Sequence, residues 1–343
     1  MSAQRSQKPR ISVVIPCYDG RRYLNECLRA IAELRDPSYE VVVVDDGSRE
    51  KIRDVVERWA PLARYIRQRN QGPGAARNTG VAATSGEYVR FVDCDDNLLP
   101  SALAEQVAVL DAHPEVGLVH GAALKIDADG RPFGVRRPSF ARRTLVRSGE
   151  DELADLLLGN YVTTSTTLIR RSVLEQVGPF RTDIKGPEDW DCWLRIAQVA
   201  SFGYVDEPIV AYRYHQTSIT ALYTPDRWLE MHHDILDRQF ASPRFPRRYA
   251  HMRPAANARL HRIAAVLAYA NRRMGLARGY ALSALASTAR RGDWRASRDC
   301  LWLVAKSFVP SALRRPLRRA ARRYRGALVP APRPRSQRLR PAS

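Results

Sequence analysis

The chain has 343 residues, of which 45% are hydrophobic and 27% are charged. These values exclude a mostly disordered or fibrous protein, and the length fits one large or two modest domains. The net charge of +20 is concentrated at the end of the chain, because residues 311–343 hold eleven arginines and no acidic residue. Five scattered cysteines without a C-x-x-C pair indicate neither a zinc site nor a disulfide framework.

The first hundred residues alternate between short β-branched runs and amphipathic segments. The sequence predicts helices between strands at residues 11–16, 39–44, 63–67 and 87–92. This order is typical of an α/β fold in which a doubly wound, mostly parallel sheet has flanking helices. Such sheets bind ligands beyond the carboxyl ends of their strands.

The next part of the chain is less regular, and the region after about residue 224 reads as helical. The elements predicted before it are a helix (100–112), a strand (116–125), a hairpin turn (127–130), a Thr/Ser-rich strand (161–169), an aromatic-rich helix ending near residue 200 and a strand (205–214). We therefore expect an α/β part followed by a helical C-terminal region.

An acidic cluster, Asp93-Cys94-Asp95-Asp96, directly follows the predicted strand at residues 87–92. Carboxylates this close repel one another unless a cation or hydrogen-bond donors neutralise them. Mg²⁺ or Mn²⁺ fits this need, because such ions prefer oxygen ligands and keep open positions for a substrate diphosphate. The alternative is a solvated acidic turn that caps the helix beginning near Pro100.

Two other loops follow predicted strands. A carboxylate of Asp45-Asp46-Gly47-Ser48 could accept a hydrogen bond from a uracil imide or a ribose hydroxyl, or the segment is a simple turn. The glycine-rich segment 70–80 leads into a small-residue helix whose first N–H groups can bind anions. Its Arg77 offers a planar donor fork to a nucleotide or its phosphates, or it is a surface residue of a structural loop.

The segment GPEDWDCWLR at residues 186–195 puts carboxylates at the start of a predicted helix. A hydroxyl that attacks a carbon must lose its proton, so a nearby carboxylate is the expected general base. We predict Asp189 in that role and keep Glu188 as the reserve. The alternative is an acidic helix N-terminus that the helix dipole favours, with the tryptophans in the core.

The segment YRYHQTS at residues 212–218 adds a histidine and an arginine. His215 could complete the ligands of the cation or contact a leaving diphosphate, and Arg213 could share that load. A purely structural histidine is the alternative.

Five segments, in this order and at these spacings, resemble glycosyltransferase family 2: IPCYDG, VVDDGS, NQGPGAARNTG, FVDCDD and GPEDWDCWLR. The resemblance runs from Ile11 to Ser218, about two thirds of the chain. It implies a GT-A fold, a nucleotide-diphosphate sugar donor, a Mg²⁺ or Mn²⁺ ion, and transfer with inversion at the anomeric carbon.

The matching positions imply roles for individual residues. Around the base and ribose of the nucleotide the resemblance implies Pro16, Tyr18, Asp19 and Asp46, with Arg77 beside them. It implies Asp93 at the ribose or the metal-bound diphosphate and as a further metal ligand, Asp95 as the principal metal ligand, and Asp189 as the base. Asp19 stands where the family often has Asn. Arg181-Thr182 stands where an acidic residue is common, so the acceptor preference does not carry over.

The resemblance and the composition together predict four regions. They are a flexible N-terminus (1–10), a GT-A glycosyltransferase domain (11–222), a helical C-terminal region (223–310) and an arginine/proline-rich tail (311–343). Within the GT-A domain, the nucleotide-binding part is expected at about residues 11–100 and the acceptor part at about residues 101–222.

The predicted activity is transfer of a sugar from a UDP- or dTDP-sugar to a hydroxyl of a glycan or a lipid-linked acceptor. The expected setting is the synthesis of a cell-surface polysaccharide, glycolipid or glycoconjugate. The alternative is a catalytically inactive protein that binds nucleotide sugars as a scaffold of a glycan assembly complex.

The sequence has no signal peptide and no run of about 18 apolar residues, so we expect a cytoplasmic protein. In residues 311–343, leucines alternate with paired arginines and could lie on an anionic membrane, at the inner face of the cell membrane. A solvated, disordered tail is the alternative. We expect no nucleic-acid binding, because these arginines lack interleaved aromatic residues.

Overall fold

The computed structural model describes residues 9–34, 38–100, 102–138, 143–184, 186–216, 218, 223–290 and 292–308. The chain divides into two compact units, the first ending at Ala264 and the second beginning at Ala265. The predicted tail at residues 311–343 and most of the predicted N-terminal segment lie outside the described residues.

One mixed sheet runs through the first unit. Its strands are β1 (Ile11–Cys17), β2 (Tyr39–Asp45), β3 (Ala63–Arg67), β4 (Tyr88–Phe91), β5 (Asn97–Leu98), β6 (Val116–Ile126), β7 (Pro132–Arg136), β8 (Leu145–Arg147), β9 (Leu168–Arg170) and β10 (Ser201–Arg213). They lie in the order β3-β2-β1-β4-β9-β6-β10-β5, with β7 beside β6 and β8 beside β10. Strands β1 to β4 are parallel, as are β6 and β10, and the antiparallel β9 joins the two groups.

Helices alternate with these strands and then continue alone. They are α1 (Arg21–Ala32), α2 (Arg53–Glu57), α3 (Pro73–Ala82), α4 (Ala102–Ala112), α5 (Gly149–Leu157), α6 (Arg171–Val177), α7 (Glu188–Ile196), α8 (Pro225–Ala241), α9 (Arg253–Ala270), α10 (Met274–Arg290) and α11 (Trp294–Phe308). In the second unit, Ala281 of α10 and Leu303 of α11 share a small apolar core with Ala265. None of the described helices is both long enough and apolar enough to cross a membrane.

The parallel strands are buried on both faces, as continuous apolar runs predict. Every residue of β1 is buried, and α1 packs Leu24, Leu28 and Ile31 against one face of the sheet. On the other face, a Cβ added to Gly80 of α3 would lie 2.2 Å from Val14 Cγ1. Helix α3 therefore lies close to β1 because residue 80 has no side chain.

The structure confirms the predicted fold class and the hairpin turn. The Asp127 carboxylate accepts hydrogen bonds from the N–H groups of Asp129 and Arg131, and β6 and β7 form an antiparallel pair on either side of the turn.

The predicted strand at residues 161–169 is wrong over most of its length. The structure has a 3₁₀ turn at Thr164–Thr166 and then only the three residues of β9. The hydroxyls of Thr166 and Thr167 donate to the carbonyl oxygens of Thr163 and Thr164, respectively. Such local side-chain bonds compete with strand pairing, and they explain the difference.

Candidate active site

The loops that follow β1, β2 and β4 lie side by side, because these strands are parallel neighbours in the sheet. The N-terminal parts of α3 and α7 approach the same edge, where Arg77 of α3 contacts Glu188 of α7. Segments far apart in the sequence therefore meet at the carboxyl ends of the strands, where sheets of this kind bind ligands.

The loop after β1 is fastened to the loop after β2. Pro16 is buried in β1, Tyr18 is exposed, and Asp19 has a φ of 52°. The Asp19 carboxylate accepts hydrogen bonds from the Arg49 N–H at 2.8 Å and from Arg49 Nε at 2.7 Å, and Ser48 Oγ accepts from the Asp19 N–H. The exposed ring of Tyr18 is thus available to a ligand, whereas the Asp19 carboxylate has a partner in the protein.

Asp46 organises the glycine-rich loop. Its buried carboxylate accepts hydrogen bonds from the N–H groups of Gln71 and Gly72 at 2.9 and 2.8 Å, and from Gln68 Nε2 at 2.8 Å. Gly72 has a φ of 93°, which favours glycine at this position. The sequence pointed Asp46 toward the nucleotide, and the structure adds that its carboxylate holds the entry to α3.

Arg77 lies between the loop after β4 and the start of α7. Its side chain is buried, with Nη2 at 2.9 Å from Asp93 Oδ1 and Nη1 at 2.5 Å from Glu188 Oε1. The guanidinium carbon lies 5.6 Å from the centre of the Phe180 ring. Arg77 Nε is buried and has no hydrogen-bond partner among the described residues. Arg77 is therefore not the surface residue that the sequence left open.

Asp96 and Arg213 shape the segment that holds the acidic cluster at residues 93–96, which we call the acidic loop. The buried Asp96 carboxylate accepts from the Arg213 N–H at 2.9 Å, and burial raises the pKa of Asp96 well above its ordinary value. Arg213 Nε donates to the carbonyl oxygen of Asp95 at 2.9 Å, and its Nη2 lies 2.9 Å from Glu26 Oε1. Arg213 Nη1 also lies 3.3 Å from the carbonyl oxygen of Ala128 in the hairpin turn. The guanidinium predicted to contact substrate thus links three segments of the protein.

Asp95 in the acidic loop and His215, just after β10, are the residues best placed to receive a cation. His215 Nε2 lies 2.7 Å from Asp95 Oδ2, and both side chains keep some exposure to solvent. Asp93, the other predicted ligand, is turned toward Arg77.

A metal ion at Asp95 and His215 would need further ligands from a substrate. Within the described ranges, no group of three or more His, Cys, Asp or Glu side chains is arranged to hold a metal ion. Mg²⁺ is commonly held by one or two carboxylates together with substrate phosphates. The Asp95 carboxylate beside the His215 imidazole is compatible with an ion that binds together with a diphosphate.

The two candidate bases differ in their surroundings. Glu188 is buried against Arg77, and burial, opposed by Arg77 and reinforced by Asp189, raises the pKa of Glu188 to about 7. Asp189 is partly exposed at the start of α7, and its Oδ2 accepts from Thr164 Oγ1 at 2.8 Å and from Asn160 Nδ2 at 3.3 Å.

The sequence did not point to Thr164 and Asn160 as partners of Asp189. Thr164 lies in the Thr/Ser-rich stretch that was predicted to be a strand, and Asn160 lies just before it. The polar composition of that stretch, beside apolar strands, is the signal that could have indicated a functional loop.

Residues 12–178 match the family model for glycosyl transferase family 2. This match confirms the resemblance to glycosyltransferase family 2 that the sequence motifs carry. Among curated relatives, the O-antigen biosynthesis protein RfbC of Myxococcus xanthus is 31% identical over 215 residues. That match covers 60% of this chain and only 16% of the relative.

Solved structures with the same architecture confirm the GT-A fold. S. aureus TarS 1-349 in complex with UDP-GlcNAc is 20% identical, with a TM-score of 0.57, over 84% of this chain and 89% of that one. The mannosyltransferase PcManGT from Pyrobaculum calidifontis, in complex with GDP-Man and Mn²⁺, is 21% identical, with a TM-score of 0.56, over 89% and 82% of the two chains.

A double-mutant cycle tests whether Arg77 and Glu188 stabilise the fold as a pair. Arg77→Leu leaves Glu188 and Asp93 without their counter-charge, and we expect a loss of about 3–5 kcal/mol in the free energy of unfolding. The variant with both Arg77→Leu and Glu188→Leu should lose less than the sum of the single variants, by about 1–3 kcal/mol. Urea denaturation measures each value.

The exposed pair Arg21 and Asp54 is the matched control, since water screens it and Leu substitutions there should show a coupling below about 1 kcal/mol. Strict additivity at Arg77 and Glu188 would show that the two residues act independently.

Proposed function

We propose that the protein is a metal-dependent hexosyltransferase that moves a sugar from a nucleotide-diphosphate donor to an acceptor hydroxyl with inversion. The observation that carries this proposal is the contact of Arg77 with both Asp93 and Glu188. Through it the acidic loop, with Asp95, and the start of α7, with Asp189, share one edge of the sheet. A donor site and a proton acceptor are both needed there for direct transfer.

The donor is proposed to be a UDP- or dTDP-sugar bound across the loops after β1 and β2. The exposed ring of Tyr18, beside the buried Pro16, supports stacking on a base. Asp19 and Asp46 then border the ribose while they hold their loops. Arg77 contributes positive charge at this edge of the sheet, beside Asp93. The UDP-GlcNAc complex of TarS supports this class of donor.

Asp95 and His215 are proposed to hold Mg²⁺ or Mn²⁺, with Asp93 at the ribose or the diphosphate. A bound cation of this kind supplies Lewis-acid stabilisation of the charge that develops on the departing diphosphate. Arg213 acts on the same loop by fixing the Asp95 backbone and therefore positions the carboxylate. The presence of Mn²⁺ in the complex of PcManGT supports a metal in this fold.

Asp189 is proposed as the general base. An inverting transfer is a single displacement, in which the acceptor hydroxyl attacks from the side opposite the leaving diphosphate and loses its proton to a carboxylate. Thr164 and Asn160 hold Asp189 Oδ2, which fixes the carboxylate in position. Glu188, the reserve, is buried and tied to Arg77, and this favours Asp189.

Removing the basic group should slow transfer without weakening donor binding. Asp189→Asn should lower turnover by about 10²–10⁴-fold, because the hydroxyl then lacks a proton acceptor. Turnover is measured as nucleotide release from a panel of UDP- and dTDP-sugars, and donor binding by calorimetry with UDP. Thr164→Val should show a smaller loss that Thr164→Ser restores. Near-normal turnover in Asp189→Asn would exclude Asp189 as the base.

Removal of metal should abolish activity. Excess EDTA should stop nucleotide release, and added Mn²⁺ or Mg²⁺ should restore it. Asp95→Asn should raise the Mn²⁺ concentration needed for half-maximal activity at least about tenfold. Asp129→Asn, at an exposed acid of the hairpin turn, is the control and should leave that concentration unchanged. Full activity in EDTA would contradict metal dependence.

The setting that we propose is the cytoplasmic synthesis of a cell-surface polysaccharide or glycolipid, with a glycan or lipid-linked acceptor. The match to an O-antigen biosynthesis protein supports this class. A peripheral contact with anionic membrane through residues 311–343 would bring the enzyme to such an acceptor.

The exposed side of α11, just before residues 311–343, supports membrane contact. Trp294 and Phe308 have 79% and 67% of their surfaces exposed, and Leu301 is exposed between them. At 100° per residue these three side chains lie on one stripe of the helix. Arg298 borders this stripe, about 40° around the helix from Trp294, and a basic side chain beside an exposed apolar stripe favours an anionic surface.

Vesicle co-sedimentation tests this contact. The full chain should sediment with vesicles of equal phosphatidylglycerol and phosphatidylcholine but not with phosphatidylcholine alone, because the arginines need anionic lipid. Sedimentation should fall when Trp294, Leu301 and Phe308 are changed to Ser, or when residues 311–343 are deleted. Leu282→Ser, at another exposed apolar residue, is the control. Equal sedimentation of all variants would contradict membrane contact.

A further inference from the structure

Three aromatic rings form a row along the hairpin of β6 and β7 and the end of β10. The centres of the Phe133 and Tyr214 rings are 5.4 Å apart, and those of Tyr214 and Tyr212 are 5.2 Å apart, with both pairs close to edge-on. Phe133 and Tyr214 are 56% and 42% exposed, whereas Tyr212 is partly buried and supports them. We call these three residues the aromatic row.

The aromatic row exposes large apolar side chains to solvent. Strand β7 is exposed along most of its length, so Phe133 is not there to fill a core. An exposed apolar patch with a polar rim is a common sign of a binding site. Lys125 supplies a polar group at this patch, since its Nζ lies over the Phe133 ring, 5.6 Å from the ring centre.

The aromatic row begins beside the acidic loop. Tyr214 precedes His215, whose Nε2 lies 2.7 Å from Asp95 Oδ2. Arg213 bonds the Asp95 carbonyl and also contacts the Ala128 carbonyl in the turn between β6 and β7. The hairpin that carries Phe133 is therefore tied to the loop at which the proposed sugar transfer takes place.

We propose that the aromatic row binds a pyranose ring of the acceptor saccharide, an assignment that rests on the proposed glycosyltransferase function. One face of a pyranose presents C–H groups, and these pack against the negative face of an aromatic ring. The hydroxyls at the edge of the sugar need hydrogen-bond partners, and the Lys125 ammonium offers three donors. An extended acceptor held on Phe133 and Tyr214 has its end directed toward the acidic loop.

The binding measurement uses saturation-transfer NMR on the full chain with UDP present. The probes are the p-nitrophenyl β-glycosides of glucose, galactose, N-acetylglucosamine and glucuronic acid. Ring C–H signals of at least one glycoside should receive saturation from wild-type protein, and Phe133→Ala with Tyr214→Ala should abolish that transfer. Phe133→Tyr keeps an aromatic ring and should retain it. If the double variant still transfers saturation to every probe that wild type saturates, the proposal is overturned. The same holds if wild type transfers saturation to no probe.

The kinetic measurement separates binding from chemistry. For a glycoside that accepts sugar, the double variant should have an acceptor KM about tenfold above that of wild type. Its kcat, and its rate of donor hydrolysis without an acceptor, should stay within about twofold of the wild-type values. Leu282→Ala, an equally exposed apolar residue, is the matched control and should change neither. An unchanged acceptor KM, or a shift of the double variant's oligomeric state by ultracentrifugation, overturns the assignment in favour of a contact between protein chains.

The two proposals fail in different ways. A protein that binds the glycosides through Phe133 and Tyr214 but releases no nucleotide from any donor contradicts the transferase and leaves the saccharide site intact. If the protein releases nucleotide normally and glycoside binding is unchanged by substitutions at Phe133 and Tyr214, only the saccharide site is contradicted.

Discussion

The arrangement of the site depends on one buried cation, the guanidinium of Arg77. It bonds Asp93, just after β4, and Glu188 at the start of α7; Glu188 is buried with it, whereas Asp93 keeps some exposure to solvent. A buried charge must be paired to be tolerated, so the two acids are as necessary to Arg77 as it is to them. Arg77 therefore links the loop after β4 to the start of α7.

Backbone atoms supply much of the remaining precision. Asp46 holds the N–H groups of Gln71 and Gly72, and Arg213 holds the carbonyl oxygens of Asp95 and Ala128. Charged side chains that bond the main chain fix a loop more firmly than contacts between two mobile side chains, because the backbone has fewer freedoms to lose. Several residues that the sequence predicts as substrate contacts thus shape the loops at the carboxyl ends of the strands.

The sheet was predictable because buried parallel strands carry continuous apolar runs. That the acidic loop needs counter-charges or hydrogen-bond donors was also predictable, because its neighbouring carboxylates repel one another. Asp95 and His215, expected at one metal site, do lie in contact. The bond between Arg77 and Glu188 was not predictable, since residues 111 positions apart meet only through tertiary packing. Thr164 was missed because a threonine-rich run resembles a strand until its hydroxyls bond the backbone.

The contact between Gly80 and Val14 has a consequence for how the sequence can vary. Gly80 touches no proposed substrate, but it lies one helical turn from Arg77, and any side chain there would push α3 away from β1. Arg77 would move with the helix and lose its reach to both acids. We therefore expect glycine at position 80 to be conserved in evolution as strongly as a substrate-binding residue. The cause would be the packing of α3 against β1 and not contact with a substrate.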